Sequence, residues 1–153
     1  MELKEKVIKL RKLSQQFAYT SLQMHEAIGR KAGMSGTDHK YLGFFLQRGQ
    51  MTAGELANVT GLTTGAVTSL IDRCEKKELV KRELDQFDRR KIIIVPDVKK
   101  ITELLTPLYK DFQHSTEELL ATFSSAEQAV LERYFSTSME IMNHKIQTIN
   151  QKK

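Results

Sequence analysis

The strongest constraint on the fold is one continuous stretch, residues 51–97, MTAGELANVTGLTTGAVTSLIDRCEKKELVKRELDQFDRRKIIIVPD. Its Thr52 hydroxyl can accept from the first turn of a helix while Glu55, three residues on, reaches back to the Thr52 amide. That pairing predicts a capping box at the head of a helix over 53–60. Gly61 ends it, Leu62 is an apolar anchor for the turn, and Thr63 is a second N-cap opening a helix to about Lys77. Two helices across a tight glycine turn make a helix-turn-helix pattern.

In the second helix Val67, Leu70, Ile71 and Cys74 recur at i, i+3, i+4 and i+7 and define one buried stripe. Gly65, Ser69, Asp72 and Lys76 fall opposite, with Thr68 and Arg73 on the flanks. Small hydroxyl residues on the leading turns let a helix sit deep in a DNA major groove, and a helix N-terminus favours phosphate. Taken alone the helix is better read as a solvated amphipathic one. The next segment shifts the balance: Leu79 to Leu84 and Ile92 to Val95 are strand-like runs around Asp85-Gln-Phe-Asp-Arg-Arg-Lys91. This predicts a hairpin whose tip carries Arg89, Arg90 and Lys91, and arginine on a thin projection can enter a narrow minor groove. Directly after a helix-turn-helix, such a hairpin is a wing.

At these residues the chain resembles the MarR family of bacterial transcriptional regulators. The resemblance covers about 40 residues, GELANVTGLTTGAVTSLIDRCEKKELVKRELDQFDRRK, including Glu-Leu-Ala, Thr-x-x-Ile-Asp-Arg and Asp-Arg-Arg at the wing tip. It implies a homodimer whose N- and C-terminal helices intertwine, with the second wing arginine, Arg90, in the minor groove and Asp88 bracing the tip. It also implies regulation by small, often aromatic or phenolic compounds. Three departures stand out: Cys74 where the family usually has Leu, Glu78 where it has Gly, and Val95-Pro-Asp-Val-Lys where it has Leu-Thr-x-x-Gly. Glu78 replaces the glycine that closes the recognition helix left-handed, so either it bears strain of about 1 kcal/mol or the helix ends differently. The changed wing exit leaves open how the next helix begins.

Met1 to about Lys31 has a long helical pattern along Leu3, Val7, Leu10, Phe17, Met24 and Ile28. A second helix over about Thr37 to Arg48 follows the Gly33-to-Gly36 break, burying Tyr41, Leu42, Phe44, Phe45 and Leu46. Beyond the wing, residues 97–123 are helical in pattern, but Pro107 must kink that helix or start a new one after Thr106. Ser124 to Gln128 is a further cap, opening a last helix to about Asn150. The terminal helices carry more apolar face than so small a chain can cover internally, which points to a second copy as partner.

At 153 residues, with 40% hydrophobic and 28% charged residues, the chain suits a domain with a real core. Its net charge of +5 favours phosphate without approaching histone-like density. A single cysteine excludes an intrachain disulfide, and with no signal-like N-terminal run the expected compartment is the cytoplasm. The longest aliphatic run, Ile92 to Val95, is far too short to span a membrane. No nucleophile elbow, phosphate loop, dinucleotide fingerprint or zincin motif occurs, so neither catalysis nor a cofactor is expected. His25, His39, His114 and His144 are scattered; Asp38-His39 and His114-x-x-Glu117 are weak metal candidates and no metal site is assigned. Cys74 lies on the buried stripe and is read as an apolar filler. Phe17, Tyr19, His39, Tyr41 and Phe45 are aromatic candidates for an effector pocket, though aromatics here more often form core.

The sequence thus predicts a mainly α protein with a small β-wing (α+β), a winged helix-turn-helix over 37–97 between dimerisation helices over 1–36 and 98–153. The expected function is a homodimeric regulator, a repressor released by an effector, on a pseudo-palindromic site in double-stranded DNA. Thr63, Thr64, Gly65, Thr68, Ser69 and Arg73 are assigned to the major groove and its bordering phosphates, and Arg89, Arg90 and Lys91 to the DNA-binding wing. Asp88 and Asp72 support the wing, Asp72 by holding a wing arginine. The alternatives are a winged-helix interaction module with nonspecific binding and a metal-sensing regulator.

Overall fold

The computed structural model describes residues 2–151, with residues 36 and 37 described by backbone alone. Met1, the expected first residue of the opening helix, lies outside the described residues. In chain order the elements are α1 (Leu3–Lys31), α2 (Gly36–Arg48), β1 (Met51–Thr52), α3 (Ala53–Thr60), α4 (Thr64–Lys76), β2 (Val80–Leu84), β3 (Ile92–Pro96), α5 (Val98–Ala121) and α6 (Ser125–Asn150). The chain divides into two compact units, Met1–Leu108 and Tyr109–Lys153.

Local chemistry sets most of the boundaries in the first unit. Ser35 caps α2 by accepting from the Asp38 amide at 3.1 Å. Thr52 and Glu55 form the reciprocal box at the head of α3, with bonds of 2.9 and 3.1 Å. Gly61, in the left-handed region at φ 72°, returns its amide to Ala57 at 2.8 Å and stops α3. Thr63 Oγ1 accepts from the Ala66 amide at 3.2 Å and starts α4.

The end of α4 settles the question raised by Glu78. Its φ is +58°, the one non-glycine left-handed residue among those described. The Leu79 amide reaches back to the Cys74 carbonyl at 3.0 Å and the Glu78 amide to Glu75 at 2.8 Å. These are the two bonds of a Schellman closure, so the motif survives without its glycine and Glu78 carries the strain. The Glu78 carboxylate meets Lys100 Nζ at 2.7 Å, which lowers its pKa. The wing exit resolves simply: Asp97 accepts from the Lys100 amide at 3.0 Å and caps α5.

Strands β2 and β3 pair antiparallel from Val80↔Pro96 to Leu84↔Ile92. Sequence patterning missed a third strand: β1 pairs with the other edge of β3 through Met51↔Ile94 and Thr52↔Ile93, giving the order β1-β3-β2. Pro96 sits at the end of β3, beyond the reach of β1, where its missing N–H breaks no ladder.

The core is built from the apolar side of each element: Leu42 and Phe45 of α2, Leu56 of α3, Val67, Leu70, Ile71 and Cys74 of α4, Ile94 of β3 and Ile101 of α5. Each such side chain, fully buried, contributes on the order of 1.5–3 kcal/mol. Tyr41 and Phe44 pack at its edge, whereas Leu46, expected inside, is exposed. Helix α5 runs unbroken through Pro107, so no new helix starts after Thr106.

In the second unit the Ser124–Glu127 box, with bonds of 2.7 and 3.2 Å, opens α6 as expected. Gln128 Nε2 donates to the Leu120 and Phe123 carbonyls at 2.9 and 3.2 Å and closes the turn before it. Helix α6 buries no residue within the chain and leaves Val130, Tyr134, Phe135, Ile141, Met142, Ile146 and Ile149 exposed.

Two outcomes follow for stability. Glu78→Gly relieves the left-handed strain at the cost of an exposed ion pair of little weight. Thermal melting should show a midpoint higher by about 2–4 °C; a lower midpoint would mean that the Lys100 pair outweighs the strain. Burial pushes the Cys74 thiol up to about 11 from its ordinary 9.0, with the Asp38 charge as a lesser cause. The native state thus keeps a proton that the unfolded chain releases, so stability is lost as pH rises above about 9. Cys74→Ala should remove that alkaline loss in denaturant titrations at successive pH values, and native Cys74 should resist alkylation at neutral pH.

Candidate nucleic-acid interface

Burying the Val67–Cys74 stripe obliges α4 to turn its other face outward. That face carries Thr64, Gly65, Thr68 and Ser69, all exposed, behind the exposed N-cap Thr63. A Cβ built on Gly65 would meet nothing within 4 Å, so no packing inside the chain requires glycine there. Thr68 Oγ1 donates to the Thr64 carbonyl at 3.0 Å, which directs its hydroxyl proton into the helix and leaves its methyl and lone pairs for a partner.

Arg73, on the flank of the same helix, has a long-range role that sequence spacing did not show. Its Nε and Nη2 donate to Asp38 at 2.5 and 2.8 Å. Asp38 is only 4% exposed, whereas the Arg73 side chain is half exposed. The bidentate bond raises the Arg73 pKa and ties α4 to the start of α2. Lys77 Nζ donates to the Gly33 carbonyl at 2.9 Å and makes a second tie to the α1–α2 corner.

Asp72 does meet a wing arginine, but it is Arg82 of β2 and not one at the tip. Arg82 Nη2 lies 2.5 Å from Asp72 and Nη1 2.8 Å from Glu75, whose other oxygen accepts from the Arg82 amide at 3.1 Å. These bonds, led by the one to Asp72, raise the Arg82 pKa. The recognition-helix candidate and the wing are therefore coupled through one half-buried guanidinium.

The wing tip is ordered by two aspartates. Asp85 Oδ1 accepts from the Phe87 and Asp88 amides at 2.7 and 3.1 Å. Asp88 Oδ1 accepts from the Arg90 amide at 3.0 Å and from Arg90 Nε at 3.1 Å, which holds the Asp88 carboxyl below its ordinary pKa. The Asp85 amide to Lys91 carbonyl and Lys91 amide to Asp88 carbonyl bonds, each 3.0 Å, close the loop. Arg89, Arg90 and Lys91 are all exposed on it.

The remaining candidate groups do not converge. Asp38 is engaged by Arg73 instead of joining a metal set with His39, and His114 lies 3.2 Å from Glu118, not Glu117. Among the described residues no three His, Cys, Asp or Glu side chains are grouped to hold a metal ion. His39 is buried and stacked on His25 at 6.2 Å; burial first, and the His25 charge second, lower its pKa. Of the aromatic candidates for an effector pocket, Phe45 is core, Tyr41 stacks on Phe44 at 6.2 Å, and Phe17 and Tyr19 are exposed on α1.

Comparison with known proteins agrees with this geometry. A MarR family model matches residues 32–91, which span α2, the helix-turn-helix and the wing tip. An uncharacterized HTH-type transcriptional regulator of Bacillus subtilis, YcgE, is 36% identical over 130 residues, covering 83% of this chain and 82% of the relative. The structure of a MarR family protein from Bacillus stearothermophilus has a TM-score of 0.75 at 25% identity, covering 94% of this chain and 99% of that one. A crystal structure of an E. coli MarR variant complexed with operator DNA shares the fold with a TM-score of 0.60 at 21% identity, covering 90% and 99%. The chain belongs to the MarR family of winged helix-turn-helix transcriptional regulators.

Proposed function

We propose that this protein is a homodimeric, sequence-specific DNA-binding regulator, acting as a repressor in the cytoplasm. The observation that carries the reading is the outward face of α4: Thr64, Gly65, Thr68 and Ser69 are all exposed, and Gly65 is open where the fold would accept alanine. A missing Cβ there gains nothing for the folded chain but lets a groove floor approach the helix closely. Thr63 and Thr64 lie beside the orphan amides of the α4 N-terminus, suited to phosphate. Arg73, with two donors on Asp38, supplies charge to bordering phosphates from a fixed position. Arg89, Arg90 and Lys91 carry the wing into the minor groove, Arg90 braced by Asp88 and the wing root held by Asp72 through Arg82.

The dimer reading is supported by the uncovered apolar residues of α1 and α6, among them Leu3, Leu10, Phe17, Tyr134, Ile141 and Ile146. Two copies related by a two-fold axis would read half-sites about one helical turn apart, hence a pseudo-palindrome. An E. coli MarR variant and a variant of S. aureus MepR have been crystallised with DNA, and these share the fold. Release by an aromatic or phenolic effector rests on the family resemblance, and linkage fixes its form: an effector weakens DNA binding only as much as DNA weakens the effector. No helix among the described residues is long and apolar enough to cross a membrane.

Anisotropy on labelled DNA from upstream of the protein's own gene, across a salt series, tests the assignment. Wild type should bind with a steep salt dependence, and Arg90→Ala should weaken binding and reduce the salt slope by about one for each phosphate it leaves unneutralised. Gly65→Ala should melt no lower than wild type yet bind DNA more weakly, because its methyl obstructs only a partner. Equal binding of all three to any duplex would refute the reading.

A further inference from the structure

We infer that Phe87 is a DNA wedge: its ring enters the minor groove beside Arg90 and partly unstacks a base step, so that the wing reads deformability as well as potential. The inference rests on the proposed DNA-binding function and extends it to a side chain that neither the helix-turn-helix pattern nor the Asp-Arg-Arg motif includes.

Phe87 is 97% exposed, the most exposed of the large apolar side chains described. It does not sit on a slack loop. Its amide is held at 2.7 Å by Asp85 Oδ1, the next amide is held by the same oxygen, and the Asp85–Lys91 bond closes the ribbon beneath it. The backbone that presents the ring is thus ordered before any partner arrives, which lowers the entropic cost of inserting it. Among the described residues nothing explains an aromatic there, since at 97% exposure it covers no core residue and the turn is made by the aspartates.

The surroundings select the partner. Arg89, Arg90 and Lys91 follow within four residues, and Leu84 and Ile92, paired on the last rung of the hairpin, are exposed as well. Cations that follow an apolar wedge, with Asp85 and Asp88 engaged by the tip's own amides and by Arg90, match a minor groove, where phosphates line the rim and the interior of the base stack is apolar. Minor-groove proteins use Phe, Leu and Met in this way, and pyrimidine–purine steps yield most easily. The wing should therefore prefer a flexible step, such as TA or CA, at a fixed distance from the bases read by α4.

The test uses the full chain on the tightest duplex it selects from a randomised pool, with 2-aminopurine placed in turn at each adenine of the minor-groove segments. Wild type and Phe87→Leu should raise 2-aminopurine fluorescence at one step in each half-site. Phe87→Ala should abolish the rise and weaken binding about tenfold with the salt slope unchanged, whereas Arg90→Ala should lower the slope. If Phe87→Ala keeps both affinity and fluorescence while Arg90→Ala and Gly65→Ala lose affinity, the wedge is overturned and the DNA-binding function stands. If wild type enriches no duplex at all, the function itself falls, and the wedge with it.

Discussion

The pairing of a buried carboxylate with Arg73 is the constraint on which the candidate interface depends. Asp38 sits in the first turn of α2, almost wholly withdrawn from water, and a carboxylate there must be matched by charge or hydrogen bonds. Arg73 matches it with two donors in the planar geometry that guanidinium and carboxylate share. The pair fixes the rotation of α4 about its own axis from outside the apolar stripe. Together with the Lys77–Gly33 bond it makes the α1–α2 corner a fixed support for the outward face of α4.

From that support the rest is held in sequence. The Schellman closure at Glu78 turns the chain into β2, where Arg82 reaches back to Asp72 and Glu75 and locks the wing to α4. Strand β1 braces the other edge of β3, so the wing is rooted in a three-stranded sheet rather than a free hairpin, which alone would be marginal. Beyond it, Asp85 and Asp88 shape the tip. Small hydroxyl side chains on one helix and cations on a hydrogen-bonded ribbon are thus tied to one frame, and on that arrangement the proposed DNA reading rests.

What could be read from the sequence was local. The Thr52–Glu55 and Ser124–Glu127 boxes, the Thr63 cap and the Gly61 stop each join residues within four positions, so spacing alone reveals them. At Glu78 the absence of the glycine usual in the family leaves two outcomes open, strain or a different helix end, and the left-handed φ of +58° decides for strain. The Asp38–Arg73 pair spans 35 residues, and nothing in the spacing of either helix announces it. That Asp72 pairs with a wing arginine follows the expected pattern, but which arginine does not, because Arg82 is hidden among ordinary alternating strand residues. A two-residue strand such as β1 has too few positions to alternate, and Leu46 was misplaced because α2 is apolar on more than its buried side. Pro107 leaves a choice between a kink and a new start that no local rule decides, and the helix runs on through it.

In the proposed function the α4 face and the wing read adjacent grooves of one duplex, twice, about a two-fold axis. Hydroxyl-radical footprinting of the wild-type protein on a selected duplex measures this at single-nucleotide resolution. The account predicts two symmetric footprints centred about one helical turn apart, each with a protected minor-groove edge where the wing lies outside the major groove filled by α4. A single unsymmetrical patch, or uniform protection that moves with any duplex offered, would contradict it.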